Sequence, residues 1–217
     1  MKEYESIEFA EDTDLRANVV IKGSGKALGN LKVSSMSVTG SLVVEKDLEC
    51  LNELRISGSC FVKGNIKADS IVNTGTLEVT GIKAAFIGLE GNVTVNADIT
   101  AEKSISIILS PKRKNLTVTG LIKAPEVTLR SAVFYTKWSS VPGKLLGRLG
   151  KKRRYKRELV IENLRIETDK LVLDSPYPVD MVEYHYVNCD IYARETELVS
   201  IPPPTPPRPH QGTNNSA

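Results

Sequence analysis

Two histidines, three cysteines and one dense basic run are the places where this 217-residue chain could do chemistry. His210 follows a proline-rich stretch, and His185 sits between Tyr184 and Tyr186, a context that reads as a surface strand residue rather than a base. No nucleophile elbow, phosphate-cradling glycine loop or clustered ligand set accompanies either histidine. Cys50, Cys60 and Cys189 are odd in number, widely spaced and free of any C-x-x-C pattern. That spacing argues against both a zinc site and a disulfide framework, and favours a reducing cytoplasm. The expectation is therefore a non-enzymatic protein with no catalytic residue, no metal and no cofactor.

The basic run is the stronger signal. Lys144, Arg148, Lys151, Lys152, Arg153, Arg154, Lys156 and Arg157 fall within 14 residues that contain no acid. The whole chain carries a formal charge of +3, so these eight residues leave the remainder at −5. The basic character thus belongs to one loop and not to a surface. Three readings stand beside each other. Charge runs are often simply solvated. Trp138, Leu145, Leu146 and Leu149 could supply an apolar side to a membrane anchor, each basic residue gaining on the order of 1 kcal/mol near an anionic leaflet. Phosphate contacts with Tyr155 stacking would instead suit nucleic acid, against repulsion from the acidic remainder.

The elements that must position such a loop show themselves as a repeat. Ile-x-Ala recurs at Ile66, Ile82, Ile99 and Ile122, in steps of 16, 17 and 23 residues. A second phrase, apolar-x-apolar-[Ser/Thr]-Gly, ends at Gly40, Gly58, Gly81 and Gly120. A fixed period near this length means stacked units. Inside each unit apolar residues alternate with polar ones, as in Leu77 and Val79, Val93 and Val95, Leu116 and Val118. Period-two alternation of Val, Ile, Leu and Thr is a strand with one buried face. Glycine and Asn/Asp mark the breaks, where corners need unusual backbone angles. Sixteen or seventeen residues are too few for a propeller blade and suit one coil of a parallel β-helix, which must stack to bury its inner face.

The fold expected is therefore all-β, a single-stranded parallel β-helix, right-handed, with Ile66, Ile82, Ile99 and Ile122 as an inward ladder. The 23-residue step is explained by 110–115, six residues of turn and charge pushed out at a corner. The inner alanines fit crowded corners. Residues 1–14 carry six acids and one Lys, and read either as a flexible acidic arm or as an edge strand through Tyr4, Ile7 and Phe9. The β-helix domain spans 15–200. The spacing of Ile21, Val44 and Ile66 predicts that its early coils also carry loops. A basic loop insertion occupies 135–158, and alternation resumes at Leu159, Ile161, Leu164 and Ile166. Proline content makes 201–217 a disordered tail. No run of 18 apolar residues exists to span a membrane.

Val62-Lys63-Gly64-Asn65-Ile66-Lys67-Ala68, followed by Ile71, Gly75, Leu77, Val79 and Gly81, resembles the bactofilins. Their coils share a V-x-G-[DN]-I-x-A pattern, partly matched again at Gly120-Leu121-Ile122-Lys123-Ala124, and the resemblance covers roughly 36–130. It implies a right-handed β-helix that polymerises into cytoskeletal filaments, with proline-rich flanks. This chain differs in its acidic beginning, its basic insertion and its additional β structure. The expected partner is the chain itself, with an anionic membrane surface next and nucleic acid less favoured. The place is the cytoplasm, peripherally at the inner membrane surface. Open coil ends carry unpaired N–H and C=O groups, and Val19 and Ile21 are the residues nominated for the polymer interface. The competing class is a monomeric or small-oligomer binding module using the basic loop.

Overall fold

The computed structural model describes residues 1–109, 116–131, 157–175 and 182–200. Every element among them is a strand, and all their pairings are parallel. Seventeen strands form one continuous sheet wound into a β-solenoid. A coil has three faces. Ser35–Val38 lies on the first, Ser41–Val44 on the second and Leu48–Cys50 on the third. The chain then returns to the first face with Glu53–Ile56, where Met36 pairs with Leu54. Longer strands such as Thr76–Leu89 bend around corners without a break.

Alternation decides which residues face inward. In Ser35–Val38, Met36 and Val38 are buried while both serines are partly exposed. Stacking then aligns equivalent residues into columns. On the third face Leu31, Leu48, Ile66, Ile82, Ile99, Ile122 and Ile166 are consecutive register partners. The isoleucine ladder expected from the repeat is thus present and extends beyond it at both ends. None of its members is more than 3% exposed. Ala84 pairs with Ala101 next to this column, and Ala68 and Ala124 are buried at equivalent corners. Burial of one such aliphatic side chain contributes roughly 1.5–3 kcal/mol.

The early coils correct the sequence reading. Ile21 pairs with Val38, and Val38 with Ile56; Val44 pairs with Val62. These coils are as regular as the later ones and carry no loop. Ile21, Val44 and Ile66 are on three different faces, so their spacing measured neither one coil nor its elongation. The inserted segment 110–115 lies outside the described residues, but its flanks keep register: Val95 pairs with Val118 and Ile99 with Ile122.

Two corners have their own ladders. Between the first and second faces Gly40, Gly58, Gly75 and Gly91 stack, and a Cβ on any of them would collide with backbone carbonyl of the coil before it. Gly91 also has φ +91°, a conformation that side chains disfavour. Between the second and third faces an Asn/Asp ladder ties coils together. The Asn30 N–H donates to Asp12 Oδ1 at 2.8 Å, the Asp47 N–H to Asn30 Oδ1 at 3.2 Å, and the Asn65 N–H to Asp47 Oδ1 at 2.7 Å. These side chains replace backbone partners where the sheet turns. Asn30 holds the Asp12 carboxyl below its usual range through these bonds.

Three polar residues are buried among the described residues, Asn73, Thr168 and Ser175, and the least exposed of them interrupts a core column. Asn73 occupies a column position between Ile56 and Leu89 and is 1% exposed. Its Nδ2 donates to the Glu90 carbonyl at 2.6 Å and to the Gly75 carbonyl at 3.3 Å. Those bonds pin the glycine corner from inside.

Candidate assembly interface

The first coil is made by residues expected to be either an arm or an edge strand, and the second reading holds. Lys2–Phe9 lies parallel on Asn18–Ala27, with Lys2 opposite Val19 and Tyr4 opposite Ile21. Tyr4, Ile7 and Phe9 turn inward and are half-buried against the core. Glu3, Glu5 and Glu8 face solvent from the same strand. Alternation with a polar phase explains why so acidic a segment still pairs. The Tyr4 and Phe9 rings meet edge to face at 6.3 Å.

That coil displaces the residues nominated for the polymer interface. Val19 and Ile21 are 1% and 0% exposed, with a strand on either side. They belong to the interior of the stack. Among the described residues the outermost strands are Lys2–Phe9, paired only with Asn18–Ala27, and Thr13–Asp14, paired only with Leu31–Val33, at one end, and Val182–Val187, paired only with Arg157–Glu162, and Asp190–Ser200, paired only with Arg165–Ser175, at the other. Each therefore has one edge without a backbone partner.

The last coil differs in character from the first. Tyr186, Val187, Tyr192, Leu198 and Val199 are all exposed large apolar residues, and all belong to the final two strands. Sequence reasoning extended strands through this region but did not single these residues out. The signal was there in the column order, since Leu198 continues the ladder through Leu129 and Leu173 and meets no further coil among the described residues. His185 is exposed on Val182–Val187, as its tyrosine-flanked context suggested.

Of the basic run, Lys144, Arg148, Lys151, Lys152, Arg153, Arg154 and Lys156 lie outside the described residues, as does the tail 201–217. Arg157 begins the strand Arg157–Glu162, opposite Val182. Strand structure thus starts at Arg157, two residues before Leu159. The described flanks show where the inserted segments leave. The segments 110–115, 132–156 and 176–181 all follow a first-face strand; the first precedes the second-face strand Leu116–Val118, and the other two precede Arg157–Glu162 and Val182–Val187, which pair with each other as a separate two-stranded sheet. They leave from the corner that the glycine ladder occupies in earlier coils.

Cys50 and Cys60 are buried, and burial pushes both thiols up to about 12. They are packing residues at neutral pH, since the thiolate is the reactive form. The Cys189 Sγ–H donates to the Ile161 carbonyl at 3.2 Å. Among the described residues no group of three His, Cys, Asp or Glu is placed to hold a metal ion, and no helix is long and apolar enough to cross a membrane. No family model, curated protein or solved structure matches the chain.

Proposed function

We propose that this chain is a structural scaffold whose copies join end to end into bactofilin-like cytoskeletal filaments. The observation that carries the reading is the pair of open coil ends. A strand edge with unpaired N–H and C=O groups is a template for another chain. At the last coil that edge is accompanied by exposed Leu198 and Tyr186, which continue inward columns above buried Leu173 and Ile161. A further coil seated there would continue the sheet at a spacing of roughly 4.8 Å. The inward columns would continue with it, burying the apolar residues that now face solvent. Electron microscopy of the purified chain tests this, with filaments expected and uniformly discrete particles contrary to it.

The second reading rests on the shared corner. Two of the three segments leaving it, 110–115 and 132–156, contain basic residues and no acid. Attachment of both to neighbouring coils favours a polyanion-facing edge, which would hold the scaffold against an anionic membrane surface in the cytoplasm. If filaments do not form, the same edge becomes a binding module in its own right, for anionic lipid or nucleic acid. Liposome co-sedimentation with and without anionic lipid, with a duplex competitor, separates these outcomes.

A further inference from the structure

Inside the stack, opposite charges repeatedly meet between neighbouring coils, with Lys67 opposite Lys83 as a like-charged exception. Lys22 pairs with Glu3 at 2.5 Å, Lys32 with Glu49 at 3.0 Å, Arg130 with Asp174 at 2.6 Å and Lys170 with Glu197 at 2.6 Å. Each pair bridges one coil to the next across parallel strands. Glu3 and Glu197 raise the ammonium pKa of Lys22 and Lys170 by hydrogen bonding, which marks these contacts as favourable to both charges.

The two ends break that rule. Residues 1–14 hold six acids against Lys2, and 182–200 hold Glu183, Asp190, Glu195 and Glu197 against Arg194. Glu3 and Glu197 already have their lysines within the chain. Glu5, Glu8 and Glu11 at one end, and Glu195 at the other, make no ion pair among the described residues and are exposed. First coil on last, first on first, or last on last, any joint between two copies places net negative charge on net negative charge. Continuing the columns from last coil to first would set Glu197 against Glu3, because both occupy one register column.

We infer that the end-to-end joint between copies of this chain is guarded by charge, so that its closure depends on ionic strength. This rests on the scaffold reading and adds its regulation. Apolar columns and unpaired strand edges favour the joint at short range. The acids oppose it over a longer range, because charges are felt over about 30 Å at 0.01 M salt but about 10 Å at 0.1 M. At low salt the ends repel before the edges can pair. Added sodium chloride shortens the repulsion and leaves the apolar contact nearly unchanged, so polymer should increase.

The test is ultracentrifugal pelleting of the full chain across sodium chloride from about 10 to 300 mM, a range that crosses this change in screening. The pelleted fraction of the wild type should rise several-fold. The triple variant Glu5→Gln, Glu8→Gln, Glu11→Gln should pellet at low salt as the wild type does at high salt, with an unchanged melting curve. Should the triple variant fail to fold, Glu195→Gln at the other end should lower the salt requirement by itself. Polymer that dissolves as salt is added, or that ignores salt, overturns the guard but leaves the scaffold standing. The first of those outcomes would point to the basic segment of one copy bridging to the acidic end of another. Discrete particles at every salt concentration overturn both.

Discussion

Ile99 and Ile122 are register partners in adjacent strands, although the segment 110–115 lies between them in the chain. The stack tolerates an insertion because it leaves at a corner, while the inward column continues unbroken. Both residues are fully buried. Ile99→Asp would place a carboxylate against isoleucine above and below, with no partner. The expected cost is about 4–5 kcal/mol, the range of severe core lesions. Ile99→Val should cost only about 0.5–1.5 kcal/mol. Thermal melting by circular dichroism measures both, and a mild Asp variant would mean that the ladder is misassigned.

Gly75 faces the carbonyl of Gly58 so closely that any Cβ requires the backbone to shift. Gly75→Ala should therefore destabilise by about 1–3 kcal/mol, as overpacking does. At Gly88, where the nearest atom to an added Cβ is the Ile71 carbonyl oxygen at 3.8 Å, the same change should be nearly silent. Equal melting temperatures for the two variants would count against the glycine corner.

Asn73→Asp swaps a donor for an acceptor opposite the Glu90 and Gly75 carbonyls. Burial and those carbonyls should raise the folded pKa of the new carboxyl above its unfolded value of about 3.9. The unfolded state then releases its proton first as pH rises. The variant should lose stability relative to wild type between pH 4 and 8 and recover it on acidification. Chemical denaturation at both pH values reads this; a pH-independent difference would contradict the buried donor role.

Much of this fold was legible because a solenoid writes its geometry into a short period. Ile66, Ile82, Ile99 and Ile122 shared a phrase, and the phrase marked one face. The misreading of Ile21, Val44 and Ile66 came from the same source. Aliphatic residues fill all three faces, so a residue's type does not reveal its face, and only a distinctive neighbour such as the following Ala does. The interface was less legible. Val19 and Ile21 looked terminal because the acids in Lys2–Phe9 left a flexible arm open beside the edge strand through Tyr4, Ile7 and Phe9. Exposure of Leu198 depends on what stacks above it, which alternation within a strand does not encode.

Deleting 144–157 should leave the melting temperature within a few degrees, because Leu121–Ser131 and Arg165–Ser175 pair directly across the insertion. Binding to vesicles containing anionic lipid should fall by at least tenfold, since each lost basic residue removes on the order of 1 kcal/mol near such a surface. Unchanged vesicle binding would remove the basic run from the account.

The scaffold claim is tested most directly by sedimentation, with electron microscopy of the pellet, of three forms: wild type, a deletion of 201–217, and Leu198→Arg. Leu198 is 49% exposed, so the arginine should be tolerated by the fold while placing a charge in the joint. The account predicts filaments for wild type and for the deletion, because prolines supply no N–H to a ladder, and their loss in Leu198→Arg. A wild type that stays monomeric at high concentration across the salt range would contradict it.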